Sequence, residues 1–322
     1  MHQIFVAISP DEVDLLFTPE NRERLEALGS VAYGPTELAA DTGAAFDVVV
    51  TSWSTQKFPL PAVTGERLRF GAHAAGSVRG LWPRQALEGM RLSQSAAAMT
   101  PAVAEMALTL TLCLLRHVHT FDRSMSTGGD WTVSRGTGLG TALTDCTVGV
   151  VGLSRAGREY IRLVRALGVS RVVAFDPYAA PMDGVELVGL DEVFAVGDVV
   201  AIHAPYTPDT MHMIGADQLA RMRDGAILIN TARSRVVDTA ALTAELVSGR
   251  IRAGLDVFDE EPLPVSSPLR GRPNVMVIPH QAGATGEARR LQGQIAVDEV
   301  ERFVHGQPLE HEVTAELYDR LA

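Results

Sequence analysis

Short runs rich in Val, Ile and Phe alternate with helical patterns along most of the chain. Between residues 4 and 94 the β-rich runs are Ile4–Ile8, Asp47–Ser52, Leu68–Ala72 and Met90–Ser93, with a helix expected over Pro19–Leu28. Such alternation predicts a parallel sheet covered on both faces by helices. A longer helical pattern opens at Pro101 and runs to about Ser126, with proline in the first turn, where its missing N–H costs nothing. Its apolar residues surround nearly the whole helix, which predicts burial between two domains or two subunits. After a glycine-rich loop holding Trp131, Gly136, Gly138 and Gly140, a second series runs from Thr147 to about His280. Strands are expected there at Val148–Val151, Arg171–Phe175, Val199–His203, Ala226–Ile229, Ala253–Val257 and Val275–Ile278. A last amphipathic helix, Glu287 to about Val304, is expected to cross back and complete the first domain. The pattern therefore predicts two α/β domains, a discontinuous one from 1–99 and 287–322 and a central doubly wound one from 100–286.

Composition narrows this picture. At 322 residues the chain exceeds the usual size of one hydrophobic core, and 46% apolar against 21% charged residues is an ordinary globular balance. A net charge of -11 argues against a nucleic-acid or anionic-membrane partner, since both need clustered Lys and Arg. Cys113 and Cys146 are too few for a disulfide framework, suit a reducing compartment and read as small buried hydrophobes. The N-terminus lacks a basic segment before its apolar run and reads as a strand rather than a signal peptide. The longest apolar stretch, Pro101 to Leu115, is interrupted by Glu105 and is expected to be too short to span a bilayer. A cytoplasmic protein is the expectation.

Candidate chemistry begins at Thr147. The run Val148-Gly149-Val150-Val151-Gly152-Leu153-Ser154-Arg155-Ala156-Gly157 is a buried strand entering a glycine turn and then a helix, the context in which a Gly-x-Gly-x-x-Gly element of a Rossmann-type domain carries meaning. Gly152 permits the tight turn and Gly157 lets helix and sheet approach. The helix N-terminus, with the N–H groups of Arg155 and Ala156, offers partial positive charge to a pyrophosphate. Ser154 replaces the middle glycine, where its side chain is expected either to crowd the pyrophosphate or to hydrogen-bond it. Asp176, 24 residues after Gly152, ends the next strand, where a carboxylate accepts from both ribose hydroxyls and repels a 2′-phosphate. NAD is the cofactor expected. An ordinary βα turn with a surface aspartate is the plain alternative.

Arg233, Glu261 and His280 each follow an apolar strand of the second series, separated by 28 and 19 residues. In a parallel sheet those strands end at one edge, the crevice where ligands bind. An imidazole suits proton exchange with a hydroxyl near neutrality, a carboxylate fixes its ring, and a guanidinium binds a carboxylate and a carbonyl by a fork of donors. Taken singly, Arg233 is as well read as a helix-flanking charge, Glu261 as a solvated acid and His280 as a strand-end histidine. His117 and His119, two apart on a helix, point to different faces, and no metal site is expected. His73 is either a substrate contact or a loop histidine without a catalytic role.

Together, Gly152–Gly157, Asn230-Thr231-Ala232-Arg233, Leu255-Asp256-Val257-Phe258-Asp259-Glu260-Glu261-Pro262 and Pro279-His280-Gln281-Ala282-Gly283 resemble the D-isomer-specific 2-hydroxyacid dehydrogenases. The likeness covers most of Pro101 to Pro308, including Trp131 and His203-Ala204-Pro205. It implies that Arg233, Glu261 and His280 act together on a small 2-hydroxy or 2-oxo acid. It further implies that NAD lies against the glycine turn, Asp176, His203, Ala204, Pro205, Thr231, Ala232 and Gly283, with Asp256 facing the nicotinamide carboxamide. A flavodoxin-like substrate domain from both chain ends, a homodimer built around the helix near Pro101 and hinge closure are also implied. In place of the family's glycine- and aspartate-bearing loop the chain has Gly71-Ala72-His73-Ala74-Ala75-Gly76-Ser77-Val78-Arg79, where the N–H groups of Ala75 and Gly76 are the expected carboxylate donors. Thr100 stands where formate- and glycerate-type relatives often have asparagine, which disfavours formate as substrate. Two other readings stay open: an NAD(H)-binding sensing or partner-recruiting protein of the same fold, and another NAD-binding enzyme such as a hydrolase of thioether nucleosides. The second would usually need reactive lysine or cysteine, and Lys57 is the only lysine.

Overall fold

The computed structural model describes residues 1–63, 65–129, 131 and 138–320. It divides into two compact units, Met1–Met99 with Ala284–Ala322, and Thr100–Gly283. In the first unit the chain runs β1 (His2–Ala7), α1 (Pro10–Leu16), α2 (Pro19–Leu28), β2 (Gly29–Tyr33), α3 (Thr42–Ala45), β3 (Val48–Thr51), β4 (Phe70–His73) and β5 (Arg91–Gln94). The five strands are parallel in the order β2-β1-β3-β4-β5, the flavodoxin-like arrangement. Alternate residues of β1 face two core layers. Ile4 and Val6 join one with Leu16 and Leu25, while Phe5 and Ala7 join the other with Leu68, Trp82 and Leu92. His73 is the buried last residue of β4, not a loop residue as expected.

The central unit holds α4 (Thr100–Leu115), α5 (Val118–Ser126), β6 (Thr147–Val151), α6 (Arg155–Ala166), β7 (Arg171–Phe175), β8 (Glu186–Leu187), α7 (Leu190–Val196), β9 (Val199–Ile202), α8 (Ala216–Arg221), β10 (Ile227–Asn230), α9 (Thr239–Ser248), β11 (Arg252–Leu255) and β12 (Val275–Val277). The sheet is parallel throughout, ordered β12-β11-β10-β9-β6-β7-β8. Strand order reverses between β6 and β9, the position where open α/β sheets of the Rossmann type form a ligand crevice. Leu110, Leu114, Tyr160 and Ile161 cover one face, and Phe194, Leu219, Leu242 and Leu246 the other. The chain then returns to the first unit through α10 (Gly286–Val304) and α11 (Ala315–Arg320).

Two expectations about the long helix are corrected. It does not run unbroken from Pro101 to Ser126: His117, with φ 55°, interrupts it between α4 and α5. The Leu114 carbonyl accepts the Arg252 guanidinium at 2.8 Å and the His117 N–H at 3.4 Å, and the Leu115 carbonyl accepts the Thr141 N–H at 3.0 Å, so neither bonds the N–H four residues on. His117 is therefore a break residue rather than a helical neighbour of His119, whose Nε2 bonds the Pro273 carbonyl at 2.8 Å. Nor is the apolar run short. With the 3₁₀ turn at Ala96–Met99 it spans 20 residues, long and apolar enough to cross a membrane by length and composition. Ala104, Ala107, Leu110 and Leu114 are nonetheless buried in the central unit's core, the mark of a core helix. Cys146 is buried and Cys113 only partly so. In the glycine-rich loop Trp131 is exposed, while Gly136 lies outside the described residues.

Candidate active site

The glycine turn is built around two positions that exclude side chains. Gly152 has φ +95°, and a Cβ there would stand 2.5 Å from the Ala204 nitrogen. At Gly157 it would stand 2.2 Å from the Gly152 carbonyl oxygen. Ser154 has a partner within the protein. It is the N-cap of α6, its Oγ accepting the Gly157 N–H at 3.3 Å, so the helix N-terminus offers a ligand the N–H groups of Arg155 and Ala156. Asp176 braces the turn, Oδ2 accepting the Leu153 N–H at 2.8 Å and Oδ1 the Tyr178 N–H at 2.9 Å, with one lone pair on each oxygen still available.

His203 and Thr231 follow β9 and β10, whose last residues Ile202 and Asn230 are register partners. Both are buried, and the Thr231 hydroxyl and both His203 ring nitrogens lack a protein partner. Leaving such groups unpaired costs about 1–3 kcal/mol each, so this edge of the sheet is suited to a polar ligand. Together with the side-chain-free turn and the open helix N-terminus, these orphans fit a dinucleotide. Ala204 is buried beside them and Pro205 is exposed.

Burial pushes the His203 pKa down to about 4. The unfolded chain therefore binds a proton near pH 6.5 that the folded chain refuses until about pH 4. Stability linked to this ring is fully present above 6.5 and is lost as pH falls to 4, a contribution on the order of 3 kcal/mol. His73 in the first unit, also pushed down to about 4 by burial, adds a second such loss. Urea unfolding at pH 7.5 and 4.5 is expected to show a smaller acid-induced loss in His203→Gln than in the parent. Equal losses would remove His203 as a cause.

Three adjacent strands carry the remaining groups, with Asn230 beside Leu255 and Leu255 beside Val277. Just beyond them, the Asp256 N–H donates to the Asn230 carbonyl and the His280 N–H to the Asp256 carbonyl, each at 3.0 Å. Glu261 Oε2 meets His280 Nδ1 at 2.7 Å, and its Oε1 accepts the Phe258 N–H at 2.9 Å. With the carboxylate accepting, the Nδ1 proton is fixed and Nε2 is left as the working nitrogen. His280 has φ 54°, a left-handed backbone uncommon outside glycine, and its side chain is half exposed. Asp256 is buried and uses both oxygens to hold the turn after His280, accepting the Gln281 N–H at 2.7 Å and the Ala282 N–H at 2.9 Å. Burial raises its pKa while those two N–H groups oppose the rise. Gly283 closes the unit.

Arg233 is largely desolvated, which lowers its guanidinium pKa while the Glu261 charge opposes the shift, and Nη1 donates to the Ala232 carbonyl at 2.7 Å. Sequence reasoning assigned no role to Asn230, yet its amide shapes this loop. Oδ1 accepts the Ala232 N–H and Nδ2 donates to the Arg233 carbonyl, both at 3.0 Å. An asparagine at a strand end is the available signal, since its side chain favours such local turns. A cavity of about 550 Å³ opens against Glu261 and His280, walled by Phe258, Leu263, Arg270 and Ile278. Among the described residues no group of His, Cys, Asp and Glu is placed to hold a metal ion.

In the first unit Ala75 and Gly76 are buried, and among the described residues neither N–H donates to a protein acceptor. The Ala75 carbonyl, by contrast, accepts the Ser95 N–H at 2.9 Å.

A family model described as the NAD-binding domain of D-isomer specific 2-hydroxyacid dehydrogenases matches residues 108–282. The hydroxypyruvate reductase of Thermotoga maritima is 33% identical over 259 residues, covering 79% of this chain and 83% of that protein. The D-3-phosphoglycerate dehydrogenase of Methanocaldococcus jannaschii is 33% identical over 274 residues, 83% of this chain and 51% of that protein. The chain thus spans about half the length of the curated phosphoglycerate dehydrogenases it matches. Among solved structures, D-2-hydroxyisocaproate dehydrogenase superposes with a TM-score of 0.84 at 27% identity, over 98% of this chain and all of that one.

Proposed function

Since the chain belongs to the D-isomer-specific 2-hydroxyacid dehydrogenases, we propose that it is an NAD-dependent oxidoreductase acting on a small 2-hydroxy or 2-oxo acid. The observation that carries this reading is the His280–Glu261 pair, 2.7 Å apart at the same sheet edge as the desolvated Arg233 and in the same unit as the glycine turn. Bound at that turn, NAD(H) supplies the redox chemistry, accepting or giving a hydride. Gly152, Arg155, Ala156 and Gly157 admit the pyrophosphate, and Asp176 takes the ribose hydroxyls and disfavours a 2′-phosphate. Thr231 and His203 have polar atoms to spare along the same edge. Asp256 faces the nicotinamide carboxamide and also holds the turn after His280.

His280 Nε2 gives its proton to the substrate's carbonyl oxygen in reduction, or takes it from the hydroxyl in oxidation. Glu261 stabilises the imidazolium and fixes the ring. Arg233 grips the substrate carboxylate and polarises the carbonyl through forked donors. In the first unit the free N–H groups of Ala75 and Gly76 are further carboxylate donors. A homodimer is part of the proposal, supported by exposed Val118, Met125, Trp131 and Leu139 in one stretch of chain. Light scattering that gives a monomer mass would remove it. Two free cysteines are in keeping with a reducing cytoplasm.

The test is oxidation of NADH and NADPH followed at 340 nm with glyoxylate, hydroxypyruvate, pyruvate, phenylpyruvate and branched-chain 2-oxo acids. Turnover with at least one acid, faster with NADH, is expected. Silence across the panel despite NADH binding would favour a sensing or recruiting protein instead.

A further inference from the structure

Thr51, His73 and Trp82 form a buried polar chain in the first unit that no step above uses. Thr51 and His73 end neighbouring strands and are register partners, and all three side chains are almost wholly buried. The Trp82 indole N–H donates to Thr51 Oγ1 at 3.0 Å, and Thr51 Oγ1 lies 2.9 Å from His73 Nδ1. An indole nitrogen only donates, so the threonine oxygen accepts there and its own proton is free for Nδ1. That places the His73 proton on Nε2, which is buried without a protein partner at hydrogen-bond distance and has the Ser77 backbone beside it.

Chain positions give this relay its meaning. His73 stands at the entry to the segment bearing Ala75 and Gly76, and Trp82 stands just past its exit, where its backbone N–H bonds the Val78 carbonyl at 2.7 Å. The Trp82 carbonyl is itself held by the Tyr318 hydroxyl at 2.7 Å, so the exit is tied to α11. At the entry, the Ala74 N–H donates to the Thr51 carbonyl at 2.8 Å. Both ends are thus fastened to one threonine, while the two N–H groups between them stay unspent. The two bonds at Thr51 Oγ1 fix one geometry, and breaking either leaves a further costly buried orphan.

We propose that His73 is a positioning residue, which through Thr51 and Trp82 holds the Ala75 and Gly76 N–H groups in register for the substrate carboxylate. The inference rests on the proposed oxidoreductase reading. His73 touches no substrate; it sets how well the acid is held, not how fast its proton moves.

Steady-state kinetics of the full chain with the best 2-oxo acid, alongside NADH titration, test it. His73→Phe and Thr51→Val are expected to raise KM for the acid about tenfold or more, the worth of one weakened bond to a charged group, with kcat changed less than about threefold. NADH affinity should hold. His73→Asn, whose amide reaches the Nδ1 position, should recover much of the loss, and Thr51→Ser should be nearly silent. If His73→Phe fails to fold, Thr51→Val decides. An unchanged KM in the variants of an active enzyme overturns the inference alone, as does a kcat loss without a KM change. A parent protein that turns over no 2-oxo acid overturns the oxidoreductase reading and this inference with it.

Discussion

His280→Ala is expected to cut kcat by about a hundredfold to ten-thousandfold, the usual worth of a positioned general acid–base, while NADH affinity moves by less than about twofold. The expectation follows from how completely the ring is committed. Its Nδ1 is held by Glu261 at 2.7 Å, that carboxylate is anchored by the Phe258 N–H, and the His280 N–H is bonded to the Asp256 carbonyl. A left-handed backbone at φ 54° is a strained choice for histidine, and strain of this kind persists where the surroundings over-determine it. Alanine keeps the backbone bonds but leaves no group to exchange the substrate proton and no partner for Glu261 Oε2. The dinucleotide groups at Gly152, Asp176 and Thr231 are untouched, so NADH binding is the control. Stopped-flow or steady-state rates beside fluorescence titration check both halves. Equal losses in turnover and NADH affinity would remove His280 from proton transfer and make it a cofactor contact.

Sequence patterning was most informative where a start signal or an unbroken apolar run marks an element. The helix at Pro19–Leu28 and the strand at Arg171–Phe175 fall where expected, because a Thr-Pro start marks one and an unbroken apolar run marks the other. The strands that escaped are edges. In β2 only Gly29 is buried, and β8 is two exposed residues, so neither carries the apolar pattern that gives strands away. The break at His117 was also unreadable, since it depends on Arg252 and Thr141 reaching the carbonyls of Leu114 and Leu115 from distant positions in the chain.

The same contrast holds at the site. Motif spacing brought Arg233, Glu261 and His280 to one sheet edge because strand ends in a parallel sheet are predictable from the strands themselves. The local bonds each side chain makes there were not: Ser154 also caps α6, and Asp256 also holds the turn after His280. The Thr51–His73–Trp82 chain depends on strand register and on Trp82 folding back across 31 residues to Thr51, which no local pattern records.

Arg233→Lys tests the other half of the chemistry, and it is expected to raise KM for the 2-oxo acid and lower kcat together, reducing kcat/KM by roughly tenfold to a hundredfold. Both side chains are cations in water, so the exchange bears first on geometry. The guanidinium already uses Nη1 on the Ala232 carbonyl and is largely removed from water, with Asn230 fixing the loop from both sides. What remains is a planar fork able to reach two oxygens of one substrate, whereas an ammonium is a point donor on a flexible stem. Losing one bond to a carboxylate in a desolvated place weakens ground-state binding. Losing the bond to the carbonyl oxygen, where charge gathers during reduction, weakens the transition state more. Both parameters should therefore move, and ground-state binding should be separable from the transition-state contact. An analogue such as oxamate, which keeps the carboxylate but accepts no hydride, should bind the Arg233→Lys variant with a loss smaller than that in kcat/KM. If kcat and KM both match the parent, Arg233 does not grip the substrate, and its burial beside Glu261 serves only to stabilise the loop.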